Sequence, residues 1–370
     1  MRTALAALLF LGLASAARAA EEEHSVRTED GWRIALHRWV PAVRRYREPV
    51  LLTHGFIENR RIWDLDPSRS LARTLAAEGF DVWSFELRGS GESQAPPVSD
   101  LTGWKFSIDD FIRFDAPAAL RAALAESGSD QVLMVGHSLG GLITYATMEG
   151  PLAPRVRAAV TLAGAGTMSG GPALQIAFNR FFKILGMTLG PALPADAPFP
   201  PAWTLHRALG ENNRAWRELA ARLDSPLGEP FWAEGNVTPE MVEELLRRSV
   251  TDTSMNVVRQ FLRYAAQGKV DEVTDRLPLI KAPVLAIAGA RDMVIPPQDV
   301  RFVAGRAGAR YVEIPKAGHE DLCFGETAVT HVFPLVAAWL GEQATPWTPP
   351  KTIPVPESPI LDGLRAWRSW

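Results

Sequence analysis

The sequence predicts an α/β fold: a mostly parallel sheet flanked by helices, with a helical cap inserted in the second half of the chain. Three observations carry this. Short runs of β-branched and aliphatic residues alternate with helical patterns along most of the chain, as parallel strands joined by crossover helices require. The pentad Gly136-His137-Ser138-Leu139-Gly140 sits between a strand-like run and a helix-like one. The alternation then stops between about residues 166 and 273, where glycine and proline cluster and only helical patterns remain.

In chain order, strands are expected at residues 32–39, 50–53, 81–85, 131–135, 156–162, 284–288 and 310–314. Helices are expected at residues 68–77, 108–126, 139–148, 297–306 and 328–340. The core therefore comes in two parts, residues 20–165 and 277–343, separated by a helical cap over residues 166–276. Within the cap Leu174, Phe178, Phe181, Phe182 and Leu185 recur at helical spacing on one face. A second stripe joins Val257, Val258, Phe261 and Leu262. In an open parallel sheet ligands bind outside the carboxyl ends of the strands. An insertion between two strands sits over that crevice, so Phe178, Phe181 and Phe182 are candidate pocket residues and the insertion a candidate lid. The alternative makes these stripes plain core and the insertion a subdomain with no gating role.

The two ends read differently. Arg2 follows Met1, an apolar run covers residues 4–13, and small residues lead to Ala17-Arg18-Ala19. This is the pattern of a cleaved signal peptide over residues 1–19, which places the mature chain in the periplasm or outside the cell. The apolar run is far shorter than the roughly 20 residues a membrane-spanning helix needs. Residues 344–370 open rich in proline and close on Ile360, Leu361, Leu364 and Trp367, a short amphipathic pattern. They are expected to strap onto the core.

With 47% hydrophobic and 22% charged residues over 370 positions, the chain can close a large core. Its net charge of -3 gives no basic surplus for nucleic acid. The single Cys323 cannot form an internal disulfide and reads as a small buried hydrophobe. The seven histidines lie without cysteine or carboxylate partners at zinc-ligand spacing, so no metal and no cofactor are expected.

The chemistry rests on three positions. Ser138, between two glycines after a strand and before a helix, stands where a sharp turn exposes a nucleophilic hydroxyl. Asp292 follows the strand at 284–288 and His319 the strand at 310–314. A hydroxyl is a poor nucleophile until a base takes its proton, and an imidazole serves best when a carboxylate orients it. Taken singly, Asp292 as a helix cap before Pro296-Pro297 and His319 as a loop residue are respectable readings. Ser, Asp, His in this chain order, each at a strand's carboxyl end, make a catalytic triad the better one. An oxyanion hole needs two fixed backbone N–H groups. Leu139, next to the nucleophile, supplies one, and Phe56 in His54-Gly55-Phe56 the other. His54 is expected to brace its loop, since a second base has no task. Arg88-Gly89-Ser90-Gly91 is a turn without the lysine of a phosphate-binding loop.

Together, His54-Gly55-Phe56, the turn from Glu86 to Gly91, the Ser138 elbow, Asp292 and Gly318-His319 resemble the α/β-hydrolase superfamily over nearly all of the chain beyond the leader. The stretch Trp104-Lys105-Phe106-Ser107-Ile108-Asp109-Asp110, continuing to Asp115-Ala116-Pro117-Ala118, is similar to a segment of acid lipases and their bacterial and plant relatives. The resemblance implies a serine esterase or lipase with a helical lid, working through an acyl-enzyme. Its substrate would be a small-molecule or lipid ester, with transient contact to a membrane or lipid surface. The chain departs from acid lipases in having Leu139 where they carry a polar residue, and in a cap without cysteine. An acyltransferase or perhydrolase on the same triad, and a non-catalytic binding module on the same scaffold, are the alternatives. Ser138 excludes the dehalogenases and epoxide hydrolases of this fold, which use a carboxylate there, and the polyester synthases, which use cysteine.

Overall fold

Eight strands form one sheet: β1 (Ala20–Arg27), β2 (Arg33–Val40), β3 (Val50–Thr53), β4 (Val82–Phe85), β5 (Val132–His137), β6 (Val156–Leu162), β7 (Val284–Gly289) and β8 (Arg310–Ile314). Their spatial order is β1-β2-β4-β3-β5-β6-β7-β8. β1 pairs with β2, and β2 with β4, in antiparallel fashion; every later pairing is parallel. The computed structural model describes residues 19–97, 103–169 and 231–349, with the backbone of residues 198 and 199.

Every residue of β3, β4, β5 and β7 is buried. Strands covered on both faces lose the polar alternation and read as continuous apolar runs, which is why the sequence placed them well. The covering helices include α1 (Leu71–Ala77), α2 (Ala116–Ser127), α3 (Leu139–Glu149), α7 (Pro297–Ala307) and α8 (Phe333–Gln343). Between β6 and β7 come α4 (Pro239–Arg248), α5 (Met255–Gln267) and α6 (Asp271–Arg276). The α5 stripe is buried at Val257, Val258 and Phe261, with Leu262 half-buried. Three strand features escaped the sequence reading. β1 was not expected, the stretch thought free of strands contains a two-residue ladder, Thr253–Ser254 against Pro198–Phe199, and a short ladder pairs Asp64–Asp66 with Arg69–Ser70 where a helix was expected from residue 68.

Two motifs singled out in the sequence turn out to be one mechanical device. Asp115, in the turn that leads into α2, accepts from Arg88 Nε at 2.9 Å and Nη2 at 2.7 Å, and from the Arg88 backbone N–H at 2.9 Å. Arg88 also donates to Asp30 from Nη1 at 2.6 Å and Nη2 at 3.0 Å. The turn after β4 is thus riveted to α2 and to the β1–β2 hairpin. Burial pushes Asp115 up to about 6 against the pull of Arg88. On the cap side, Ile108 N–H donates to Gln260 Oε1 at 2.6 Å and Asn256 Nδ2 to the Lys105 carbonyl at 2.7 Å. The same acid-lipase-like stretch therefore docks α5.

At the far end, Trp347 N–H donates to the Arg45 carbonyl at 2.7 Å, and the Arg44 guanidinium lies 4.0 Å from the Trp347 ring centre. The start of the proline-rich segment packs on the core. Its amphipathic end, residues 1–18 and the stripe of Phe178, Phe181 and Phe182 lie outside the described residues.

Candidate active site

β5 runs into Ser138, whose backbone sits at φ 51°, ψ -114°. A non-glycine residue pays on the order of 1–3 kcal/mol for such a conformation, and keeps it only where the surroundings over-determine it. Here they do. Ser138 N–H donates to the Leu162 carbonyl at 2.9 Å, and the Ser138 carbonyl accepts from Ala165 N–H at 3.1 Å. The flanking glycines let α3 start directly against β3: a Cβ on Gly140 would fall on the Thr53 carbonyl, and one on Gly136 on the Gly140 carbonyl.

Asp292 lies in the turn after β7. Its Oδ1 accepts from Val294 N–H and Ile295 N–H, each at 2.8 Å, and its Oδ2 lies 2.8 Å from His319 Nδ1. The two backbone N–H groups and the His319 ring are thus met by one carboxylate, an oxygen for each. With Nδ1 carrying the proton that this bond needs, Nε2 of His319 is left as the acceptor a base requires. Burial alone would lower the His319 pKa, but the charge and hydrogen bond of Asp292, with Glu320 and Asp321 behind, raise it above the ordinary 6.5. The loop that carries His319 is held from the segment between β6 and β7: the Phe231 carbonyl accepts from His319 N–H at 2.7 Å and from Glu320 N–H at 2.8 Å.

Ser138 and His319 open on one cavity, lined also by Phe56, Trp232, Phe261 and Ile295. Apart from the Ser138 and His319 side chains and two carboxyl groups its wall is apolar, the usual make-up of a small-molecule site. The Phe56 ring meets the Phe261 ring edge-on at 5.1 Å, which sets the loop after β3 against α5. Leu139 is the first residue of α3, so its backbone N–H belongs to the unpaired first turn of a helix. His54 does brace its loop. Nε2 accepts from Leu87 N–H at 3.1 Å, leaving Nδ1 to donate to the Gly55 carbonyl at 2.9 Å. Burial pushes it down to about 4, so it stays neutral.

Three residues of the site were not singled out from the sequence. Glu58 Oε2 accepts from Gly55 N–H at 2.6 Å and lies 3.4 Å from His137 Nδ1. His137 Nε2 lies 3.2 Å from the His319 carbonyl. Glu320 follows His319 and lines the cavity with Glu58. No spacing rule links residues 58, 137 and 320; only the sheet brings them together. His137, His319 and Glu320 offer donor atoms within 4.8 Å of one another, a convergence that spacing along the chain did not foretell. Three of the four ring nitrogens face Glu58, the His319 carbonyl and Asp292. Cys323 is buried, and burial pushes its thiol up, as suits a packing residue.

Comparison with known proteins gives the family and the fold. The family described as alpha/beta hydrolase fold matches residues 48–326. Over 159 residues the chain is 33% identical to human lipase member M, covering 40% of this chain and 37% of that protein. Over 157 residues it is 35% identical to the rat lysosomal acid lipase/cholesteryl ester hydrolase, covering 38% and 39%. The match thus spans about two fifths of these relatives. Among solved structures, a thermophilic esterase from Thermogutta terrifontis superposes with a TM-score of 0.55 at 19% identity, over 88% of this chain and 100% of that one.

Proposed function

The chain belongs to the alpha/beta hydrolase fold family, and from that premise we propose that it hydrolyses carboxylic esters through Ser138, His319 and Asp292. The observation that carries the reading is the His319–Asp292 bond at 2.8 Å facing the same apolar cavity as the strained Ser138 elbow. Ser138 Oγ attacks the ester carbonyl while His319 Nε2 takes its proton. The Phe56 and Leu139 N–H groups receive the charge that develops on the carbonyl oxygen. His319 then returns the proton to the leaving alcohol, and an acyl group remains on Ser138. Water, deprotonated by the same imidazole, releases the acid. No cofactor enters these steps.

The apolar wall and the likeness to acid lipases favour a neutral ester with an apolar acyl group, either a small molecule or a lipid. Residues 166–276 act in this reading as the cap over the site, and contact with a lipid surface would be transient. Nucleic acid is not a partner. Export is part of the proposal: β1 starts at Ala20, so cleavage after Ala19 would leave the sheet whole. The mass of the mature chain recovered from outside the cytoplasm checks this.

Turnover of p-nitrophenyl esters of rising acyl length, with fluorophosphonate labelling mapped to Ser138, tests the function. A purified chain that neither turns over esters nor takes the label would refute it. The pH dependence adds a second check. The base works unprotonated and its pKa is raised by Asp292, so kcat should fall as pH drops through a midpoint above 6.5. A midpoint well into the acid range would take His319 out of that role.

A further inference from the structure

We propose that Glu58 and Glu320 hold one proton between them and act as a positioning pair, fixing the oxyanion loop against the loop of the catalytic base. The role in catalysis rests on the esterase reading; the shared proton does not.

Glu58 and Glu320 stand on loops at the carboxyl ends of different strands, β3 and β8, and both line the cavity. Glu58 Oε1 and Glu320 Oε2 are buried, and neither receives an N–H or O–H from elsewhere among the described residues. Yet the two carboxyl groups lie close enough to share a hydrogen bond. Two carboxylates have nothing to donate, so that bond requires a proton on one of them. Like charges this close cannot both ionise cheaply. Burial works the same way, raising Glu58 and, together with the Glu58 charge, raising Glu320 well above the ordinary carboxyl range.

The groups around the pair are accounted for. His137 faces Glu58 from the end of β5, and burial lowers it to about 4, so it is neutral. His319 faces Glu320, with Asp292 behind it, and Asp321 and Cys323 follow on the same loop. His54 lies behind His137.

The consequence falls on the oxyanion loop. Glu58 Oε2 holds Gly55 N–H at 2.6 Å, one residue before the Phe56 amide. The next residues are tied to the cap, with Thr251 N–H donating to the Ile57 carbonyl at 2.8 Å and Thr251 Oγ1 to the Glu58 carbonyl at 3.0 Å. While the proton is shared, Glu58 stays seated. Once it leaves at higher pH, the two carboxylates repel, the seat of Glu58 is lost and Gly55-Phe56 loosens. Transition-state charge is then less well met, while substrate affinity changes little. An alkaline fall in kcat, absent from KM, is the signature.

The test has two arms. In enzyme carrying 13C-carboxyl glutamate, NMR titration should show one carboxyl protonated at least about one pH unit beyond the ordinary glutamate value of about 4.3. That signal should be lost in Glu320→Gln and should move toward the ordinary range in Glu58→Gln, where burial alone still raises Glu320. If every glutamate resonance titrates in the ordinary range, apart from those of Glu86 and Glu149, which burial raises elsewhere in the molecule, the shared proton is refuted, whatever the activity. In the kinetic arm, Glu58→Ala should lower kcat by about 10²-fold, the scale of losing one oxyanion donor. KM should move by less than about threefold, and Glu58→Gln should recover most of the loss. Glu320→Gln should shift the alkaline fall upward by at least one pH unit, because an amide donates to Glu58 at every pH. A Glu320→Gln profile superimposed on that of the wild type, or a Glu58→Ala kcat within twofold of it, overturns the positioning role. Absence of wild-type turnover and Ser138 labelling would instead refute the esterase reading and, with it, the positioning role; the NMR arm would still decide the shared proton.

Discussion

Replacing Ser138 by alanine is expected to cut ester turnover by on the order of 10⁶-fold, to the level left by binding and oxyanion contacts alone. The hydroxyl is the only atom lost. The backbone bonds that impose the elbow, from Ser138 N–H to Leu162 and from Ala165 to the Ser138 carbonyl, are untouched. Alanine meets the positive φ at about the same cost as serine, so the melting temperature should stay close to that of the parent. Kinetics and a thermal melt on one preparation check both halves. Retained turnover in a pure variant would move the nucleophile elsewhere.

Asp292→Asn should cost on the order of 10⁴-fold in kcat, and the geometry says why. The amide must still satisfy Val294 N–H and Ile295 N–H, which both point at the position of Oδ1. Its carbonyl is therefore held there, and its NH₂ is turned toward His319 Nδ1. An imidazole facing a donor must accept at Nδ1, which puts its proton on Nε2, the atom that has to receive the Ser138 proton. The base is then present but in the wrong tautomer. Losing the carboxylate also removes the charge that raises the His319 pKa, so the acid limb of the residual activity should move to lower pH. A pH profile of the variant reads both effects. A loss of less than tenfold would transfer the orienting role to another acid.

Legibility in the sequence followed burial. The central strands and α3 were placed to within a residue or two because both faces are covered and their runs are apolar throughout. β1 was missed because seven of its eight residues are charged, polar or small, and most are exposed. An edge strand that buries neither face leaves no pattern; it is set by its antiparallel register with β2. That Ser138, Asp292 and His319 converge could be read because each follows a strand, with Gly136 and Gly289 near the ends of β5 and β7 and Gly318 in the loop just before His319. Glu58 and Glu320 were not, because a carboxyl group beside a motif looks like any solvated loop acid until three loops close around it. Arg88 and Asp115 were noticed as parts of two separate motifs. That they are partners is a fact of packing, invisible in a separation of 27 residues.

The Phe231 carbonyl, which receives both N–H groups of the His319–Glu320 peptide, bears on how this scaffold can be recombined. Exchanging caps between related enzymes is an obvious route to new acyl preferences, and the interruption of the sheet at residues 166–276 looks like a ready pair of seams. It is not. A donor segment spliced in at the downstream seam would bring a foreign backbone to the place of Phe231 and unmoor the base before it altered the pocket. The transferable cassette ends upstream of residue 231, and a chimera that respects that limit should keep its proton chemistry while changing what it accepts.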